Sequence, residues 1–225
     1  MHQLVLDLLP ETPPSFDNFV VGANDEALTG LMAWLAPTCD ESALLLWGET
    51  GSGKTHLLRA SEGFYVDAQR DPALSSVNSD RFPDITFYAV DNVGALDANG
   101  QITLFNLFNH LRATGGRLLT TASLPPRQLP LREDLRTRLG SGLIYRLHPL
   151  SDSEKVSALK AQAAARALPL PQEALTYLLA RAPRDMRSLS GLLAALDRYS
   201  LEQQRPITLP LLREVLLSPP FHKTI

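Results

Sequence analysis

The sequence predicts an α/β domain built on a parallel five-stranded sheet and followed by a small all-helical domain, and three observations predict it. Residues 48–55, Gly-Glu-Thr-Gly-Ser-Gly-Lys-Thr, fit the phosphate-loop pattern G-x-x-x-x-G-K-[ST] at every fixed position. Apolar strand-like runs alternate with helical patterns between Ala43 and Leu147. From Pro149 onward the texture changes to helices alone.

Taken in chain order, the candidate strands are Ala43–Trp47, Gly63–Asp67, Ile85–Asp91, Arg117–Ala122 and Leu143–Leu147. The first leads into the phosphate loop, and His56–Ala60 continues it with helix-compatible residues, which is the strand, loop and helix context the motif requires. Ala60-Ser61-Glu62-Gly63 then leads almost directly into the second strand. Ile102, Phe105, Phe108 and Leu111 predict a helix over Ile102–Arg112 whose apolar stripe packs on the sheet, and Thr114-Gly115-Gly116 ends it. In the helical part Ser151-Asp152-Ser153-Glu154 is a capping box opening a helix to about Ala167. Further helices are expected over Pro171–Ala182, Arg184–Gln203 and Thr208–Leu217, the third burying Met186, Leu189, Leu193 and Leu196. The expected organisation is therefore an N-terminal tail (1–14), an α/β domain (15–149) and a helical lid (150–225).

Composition narrows the function. Hydrophobic residues make up 44% of the 225, enough for a packed core. A formal net charge of -3 gives no basic footprint, so direct sequence-specific DNA binding is not expected. Cys39 is the only cysteine and the five histidines are scattered, which excludes an internal disulfide and a Cys-based zinc site. No apolar run approaches the ~18 residues of a membrane span, and Met1-His2-Gln3-Leu4 lacks a basic secretory n-region; no membrane partner and a cytoplasmic location are expected.

The chemistry-bearing positions follow from the loop. Its glycines, Gly48, Gly51 and Gly53, let backbone N–H groups around Glu49, Thr50 and Ser52 turn toward one anion. Lys54 supplies a point charge to the β/γ-phosphates of ADP or ATP, and the Thr55 hydroxyl is placed to ligate magnesium. A carboxylate at the end of a neighbouring strand is needed to hold that metal, and Asp91 supplies it. The next residue is Asn92, where a hydrolytic site has a second carboxylate. An amide orients water but does not accept its proton, so weak intrinsic hydrolysis is expected.

Phe16-Asp17-Asn18-Phe19-Val20-Val21-Gly22 resembles the segment that opens the ATPase domain of the DnaA-like AAA+ family, where it lines the adenine pocket. Asp91-Asn92, Pro125-Pro126-Arg127-Gln128-Leu129-Pro130 and His148-Pro149-Leu150-Ser151-Asp152 are similar to segments of the Hda branch of that family. This branch consists of DnaA-like proteins without the helix-turn-helix DNA-binding domain. The resemblance covers about Ser15 to Leu217. It implies a P-loop AAA+ fold, DnaA as a partner and stimulation of the hydrolysis of DnaA-bound ATP; ADP against ATP as the active ligand, and a homodimer, stay open.

Residue by residue, the resemblance carries further roles. Asp134-Leu135-Arg136-Thr137-Arg138-Leu139 is similar to the segment whose last arginine reaches a neighbouring subunit's nucleotide, which falls on Arg138, with Arg136 the next candidate. Arg184-Asp185-Met186-Arg187 resembles the lid motif in which Arg187 would touch the chain's own nucleotide, and Ser123 falls where the family has a polar sensor residue. Gln3-Leu4-Val5-Leu6-Asp7-Leu8 resembles a peptide that docks on the DNA polymerase sliding clamp, with Gln3, Leu4, Leu6 and Leu8 as contacts. A self-sufficient P-loop ATPase, or a remodelling ATPase of the helicase-loader type, is the alternative.

Overall fold

The computed structural model of the chain describes residues 13–77, 85–181 and 185–203, together with Thr208 and Leu212; the side chains at 187, 202 and 203 lie outside that description. Pro13–Pro149 form one compact unit, and a second begins at Leu150.

In a sheet covered on both faces, strands carry apolar side chains at consecutive positions. The first strand, β1 (Ala43–Gly48), has this character, with Ala43, Leu44, Leu45 and Leu46 all buried. It is joined by β2 (Phe64–Asp67), β3 (Phe87–Asp91), β4 (Arg117–Ala122) and β5 (Leu143–Leu147) in the order β2-β3-β4-β1-β5. Every pairing is parallel. This is the parallel five-stranded sheet that the sequence predicts. Alternate residues divide between two cores. Leu44, Leu46, Ala89 and Leu119 face α1 (Asp25–Leu35) and α2 (Lys54–Ala60), whereas Leu45, Tyr88, Val90 and Leu118 face α3 (Ala98–Thr114) and α4 (Glu133–Leu139).

Two polar ties fix α1 on the sheet. Asn24, buried just before α1, donates from Nδ2 to the His148 carbonyl (2.9 Å) and accepts from the His148 amide (2.7 Å). At the other end the Arg117 guanidinium donates to the carbonyls of Trp34, Ala36 and Cys39. Each tie satisfies backbone groups that the helix and strand ends leave open.

Helix α3 differs from the sequence expectation in length and in phase. Its N-cap is Asp97, whose carboxylate accepts from the Gly100 amide (2.8 Å), and Gly115 in the left-handed region (φ 75°) ends it. The buried stripe is Leu104, Leu107, Phe108 and Leu111; Phe105 is half-buried and Ile102 is 44% exposed.

The second unit contains α5 (Asp152–Ala165), α6 (Gln172–Arg181) and α7 (Met186–Gln203). The capping box forms: Ser151 Oγ accepts from the Glu154 amide, and the Glu154 carboxylate accepts from the Ser151 amide and hydroxyl. Those Ser151 hydrogen bonds hold the Glu154 carboxyl below the usual glutamate range. Leu159, Leu175, Leu178, Leu189, Leu193 and Leu196 build this unit's own core, with Met186 packed against it. The helix expected over Thr208–Leu217 and the tail expected over 1–14 fall largely outside the described residues.

Candidate nucleotide-binding site

In a parallel sheet the loops that follow β1, β3 and β4 emerge at one edge, and ligand sites form there. Strand β1 ends at Gly48 and the chain turns through Glu49–Gly53 into α2. Three backbone positions demand glycine: Gly48 has φ 155° and a Cβ there would collide with the Leu147 carbonyl, Gly51 has φ 81° and Gly53 has φ 96°. At Gly53 a Cβ would in addition lie 2.7 Å from the Phe19 ring.

Lys54 opens α2 and is only 8% exposed. Its Nζ donates to the carbonyls of Gly48 and Glu49, both at 2.7 Å. Burial pulls its pKa down, with Asp91 and Glu49 pulling the other way. Among the described residues no carboxylate comes within ion-pair distance of this ammonium. A buried cation inside a turn of positive-φ glycines, held by two carbonyls and the Ser52 hydroxyl and by no carboxylate within ion-pair distance, suits an anionic ligand.

Asp91, at the end of β3, is 1% exposed and accepts three hydroxyls. Thr55 Oγ1 donates to Oδ2 at 2.7 Å, Tyr65 Oη donates to Oδ2 at 3.1 Å, and Thr121 Oγ1 donates to Oδ1. Asp91 and Thr55 are thus brought together as the sequence predicts, though not from neighbouring strands. Strand β4 lies between β1 and β3, and its Thr121 bridges the gap. No cluster of three His, Cys, Asp or Glu residues among the described ones can hold a metal by itself. The Thr55–Asp91 pair fits a magnesium ion that draws its other ligands from phosphate and water.

Residues 152–216 match the model of the family described as "Hda, lid domain", and residues 11–93 match that of the "Bacterial DnaA ATPAse domain". The two matches mark a segment similar to the DnaA ATPase domain followed by one similar to the Hda lid. Domain III of the Thermotoga maritima replication initiation protein DnaA superposes with a TM-score of 0.73 at 22% identity, covering 96% of this chain and 99% of that one. AMPPCP-bound DnaA from Aquifex aeolicus gives 0.69 at 23% identity, covering 87% of this chain and 68% of that chain. The Thermotoga maritima RuvB branch migration motor gives 0.64 at 17%, covering 91% and 71%. At these identities the likeness establishes the fold.

The residue after Asp91 has a defined task. Asn92 adopts the left-handed conformation (φ 59°), its amide N–H donates to Thr121 Oγ1 (2.9 Å), and its Nδ2 donates to Asp67 Oδ1 (3.1 Å). Asp67 ends β2 directly opposite Asp91 in the parallel register. A carboxylate at position 92 in this orientation would therefore meet the carboxylate of Asp67.

The other sequence-derived positions distribute unevenly. Phe19, packed against the Gly53 backbone and 5.4 Å from the His56 ring, is the aromatic of its segment that reaches the loop. Phe16 instead lines a cavity of about 590 Å³ with Leu35, Phe87 and Arg117. Ser123 is exposed beyond the end of β4; Thr121, two residues earlier, is the β4 hydroxyl that contacts Asp91. Arg138, near the end of α4, is half-buried with its guanidinium 5.8 Å from the Phe105 ring and 6.0 Å from the Phe108 ring. Arg136 is half-buried one residue pair earlier on the same helix. Arg187 belongs to α7 and its side chain is outside the described residues, as are Gln3, Leu4, Leu6 and Leu8.

Sequence reasoning missed Tyr65, Asp67 and Thr121. A signal for the first two existed: a Tyr-x-Asp pair at the end of one strand, with a strand-ending Asp on another, puts all three on one face wherever the strands pair in parallel.

Proposed function

We propose that this chain regulates replication initiation: it binds ADP or ATP with magnesium at residues 48–55 and Asp91, and stimulates hydrolysis of ATP held by DnaA. The observation that carries this reading is the Asn92 amide committed to Asp67, which leaves no carboxylate at the position where a hydrolytic site needs a base. Bound nucleotide then acts as a ligand that sets the protein's state. Lys54 and the loop amides hold the phosphates, Thr55 and Asp91 hold the metal, and Arg187 in the lid and Ser123 contact the nucleotide. Magnesium, when bound, neutralises phosphate charge.

The activating group for the partner is Arg138. A guanidinium brought to another subunit's γ-phosphate stabilises charge that develops in the transition state, an effect of about 10³ to 10⁵ in rate. Residues 3–8, with Gln3, Leu4, Leu6 and Leu8, tether the protein to the sliding clamp. The matches to the Hda lid and the DnaA ATPase domain support DnaA as the partner.

The test is hydrolysis of ATP by the cognate DnaA with clamp-loaded DNA present. Wild-type protein is expected to accelerate it, and Arg138→Ala to lose at least a hundredfold of that acceleration with nucleotide binding intact. An unaltered DnaA rate on adding wild-type protein, or full stimulation by the variant, overturns the reading. Purified protein that turns over ATP alone at about 1 to 100 s⁻¹ would instead make it a self-sufficient ATPase.

A further inference from the structure

We propose that Tyr65 is a positioning residue for the metal-holding carboxylate of the nucleotide site, its phenol fixing Asp91 in the one orientation that serves a magnesium-bound nucleotide. The inference rests on the reading of residues 48–55 as a nucleotide site. It starts from an acceptor count. An ionised carboxylate offers about four lone-pair sites. Thr55 and Tyr65 occupy both on Oδ2, and Thr121 occupies one on Oδ1. One site is left, on Oδ1, for a water in the metal's shell. Without the phenol a second acceptor site opens on Oδ2, and the water then has two places on the carboxylate instead of the one on Oδ1.

The sheet register explains why a residue near the start of β2 can reach Asp91. Tyr65 pairs with Ala89 and Asp67 with Asp91, so Tyr65 and Asp91 share a face and the length of the phenol spans the two-residue offset. The Arg59 guanidinium lies over the ring, 4.5 Å from its centroid. Burial raises the phenol's pKa, so it remains a donor throughout the neutral range. At 1% exposure Asp91 has no bulk water to replace a lost hydroxyl. Among the described residues Tyr65 makes no hydrogen bond to the loop or to Lys54; its side chain contacts Asp91 and, on α2, Arg59.

Partners of a metal-holding group contribute about 10- to 100-fold to metal affinity. The experiment is titration of N-methylanthraniloyl-ADP into the full chain, wild type and Tyr65→Phe, once in EDTA and once across a magnesium series. Phenylalanine keeps the ring beside Arg59 and removes the hydroxyl with its hydrogen bonds to Asp91 and Arg59. The expected result is equal affinity in EDTA and a magnesium midpoint raised about tenfold in the variant. An unchanged magnesium midpoint, or an equal loss with and without magnesium, overturns the role of Tyr65 while leaving the nucleotide site in place. Failure of the wild type to bind in either condition overturns the nucleotide site and this inference with it.

Discussion

At position 92 a single amide decides what the site can do. Asparagine tolerates the left-handed backbone there and donates to Asp67, whose carboxylate also accepts from the Gln69 amide at 3.0 Å. Replacing the donor by Asn92→Asp removes one hydrogen bond and sets two carboxylates at contact. The expected loss is about 1–2 kcal/mol, measured by denaturant unfolding. Exchanging the partners, Asp67→Asn with Asn92→Asp, restores one donor and one acceptor and is expected to recover most of that loss. If the double variant is as unstable as the sum of the singles, the two side chains are not coupled. The amide at 92 was legible in the sequence, but its partner was not. Asp67 lies 25 residues away, and only strand pairing brings the two together.

Elements were legible where local pattern and tertiary demand coincide. The central strands β1, β3 and β4 are nearly continuous buried runs, as a doubly covered parallel sheet requires, so their positions could be read directly; the edge strands β2 and β5 are only partly buried. Helix α3 shows where this fails. Ile102, Phe105, Phe108 and Leu111 are spaced by three residues, and nine residues at 100° each turn the helix to its opposite side. Ile102 therefore faces away from Leu111, and the stripe that closes on the sheet is Leu104, Leu107, Phe108 and Leu111. The consequence is measurable. Leu107→Ala is expected to cost about 2–5 kcal/mol, whereas Ile102→Ala, at a mostly exposed position, should stay within about 0.5 kcal/mol. Equal losses would restore the misread phase. Strand order was likewise hidden: no local signal announces that β4 inserts between β1 and β3, and so none announced Thr121 as the hydroxyl beside Asp91.

Among the described residues the two units bury separate sets of side chains: Pro13–Pro149 has one core on each face of its sheet, and α5, α6 and α7 form their own. Each unit is expected to give its own unfolding transition in calorimetry, which makes nucleotide binding a test of what each unit contributes. A ligand that binds only the folded state at a hundred times its Kd stabilises by about 2.7 kcal/mol. For a unit of this size that is a rise of roughly 10 °C in Tm. ADP with magnesium is expected to raise the α/β unit's transition by this amount in wild type and not at all in Lys54→Ala, because the buried ammonium of the loop is gone. The lid's transition answers a separate question. If Arg187 contacts the bound nucleotide, the lid's Tm rises with ligand in wild type, and Arg187→Ala cancels that rise while leaving the α/β unit's shift in place. A lid transition indifferent to nucleotide in both proteins would remove Arg187 from the site, and would leave the α/β unit as the sole reader of the ligand.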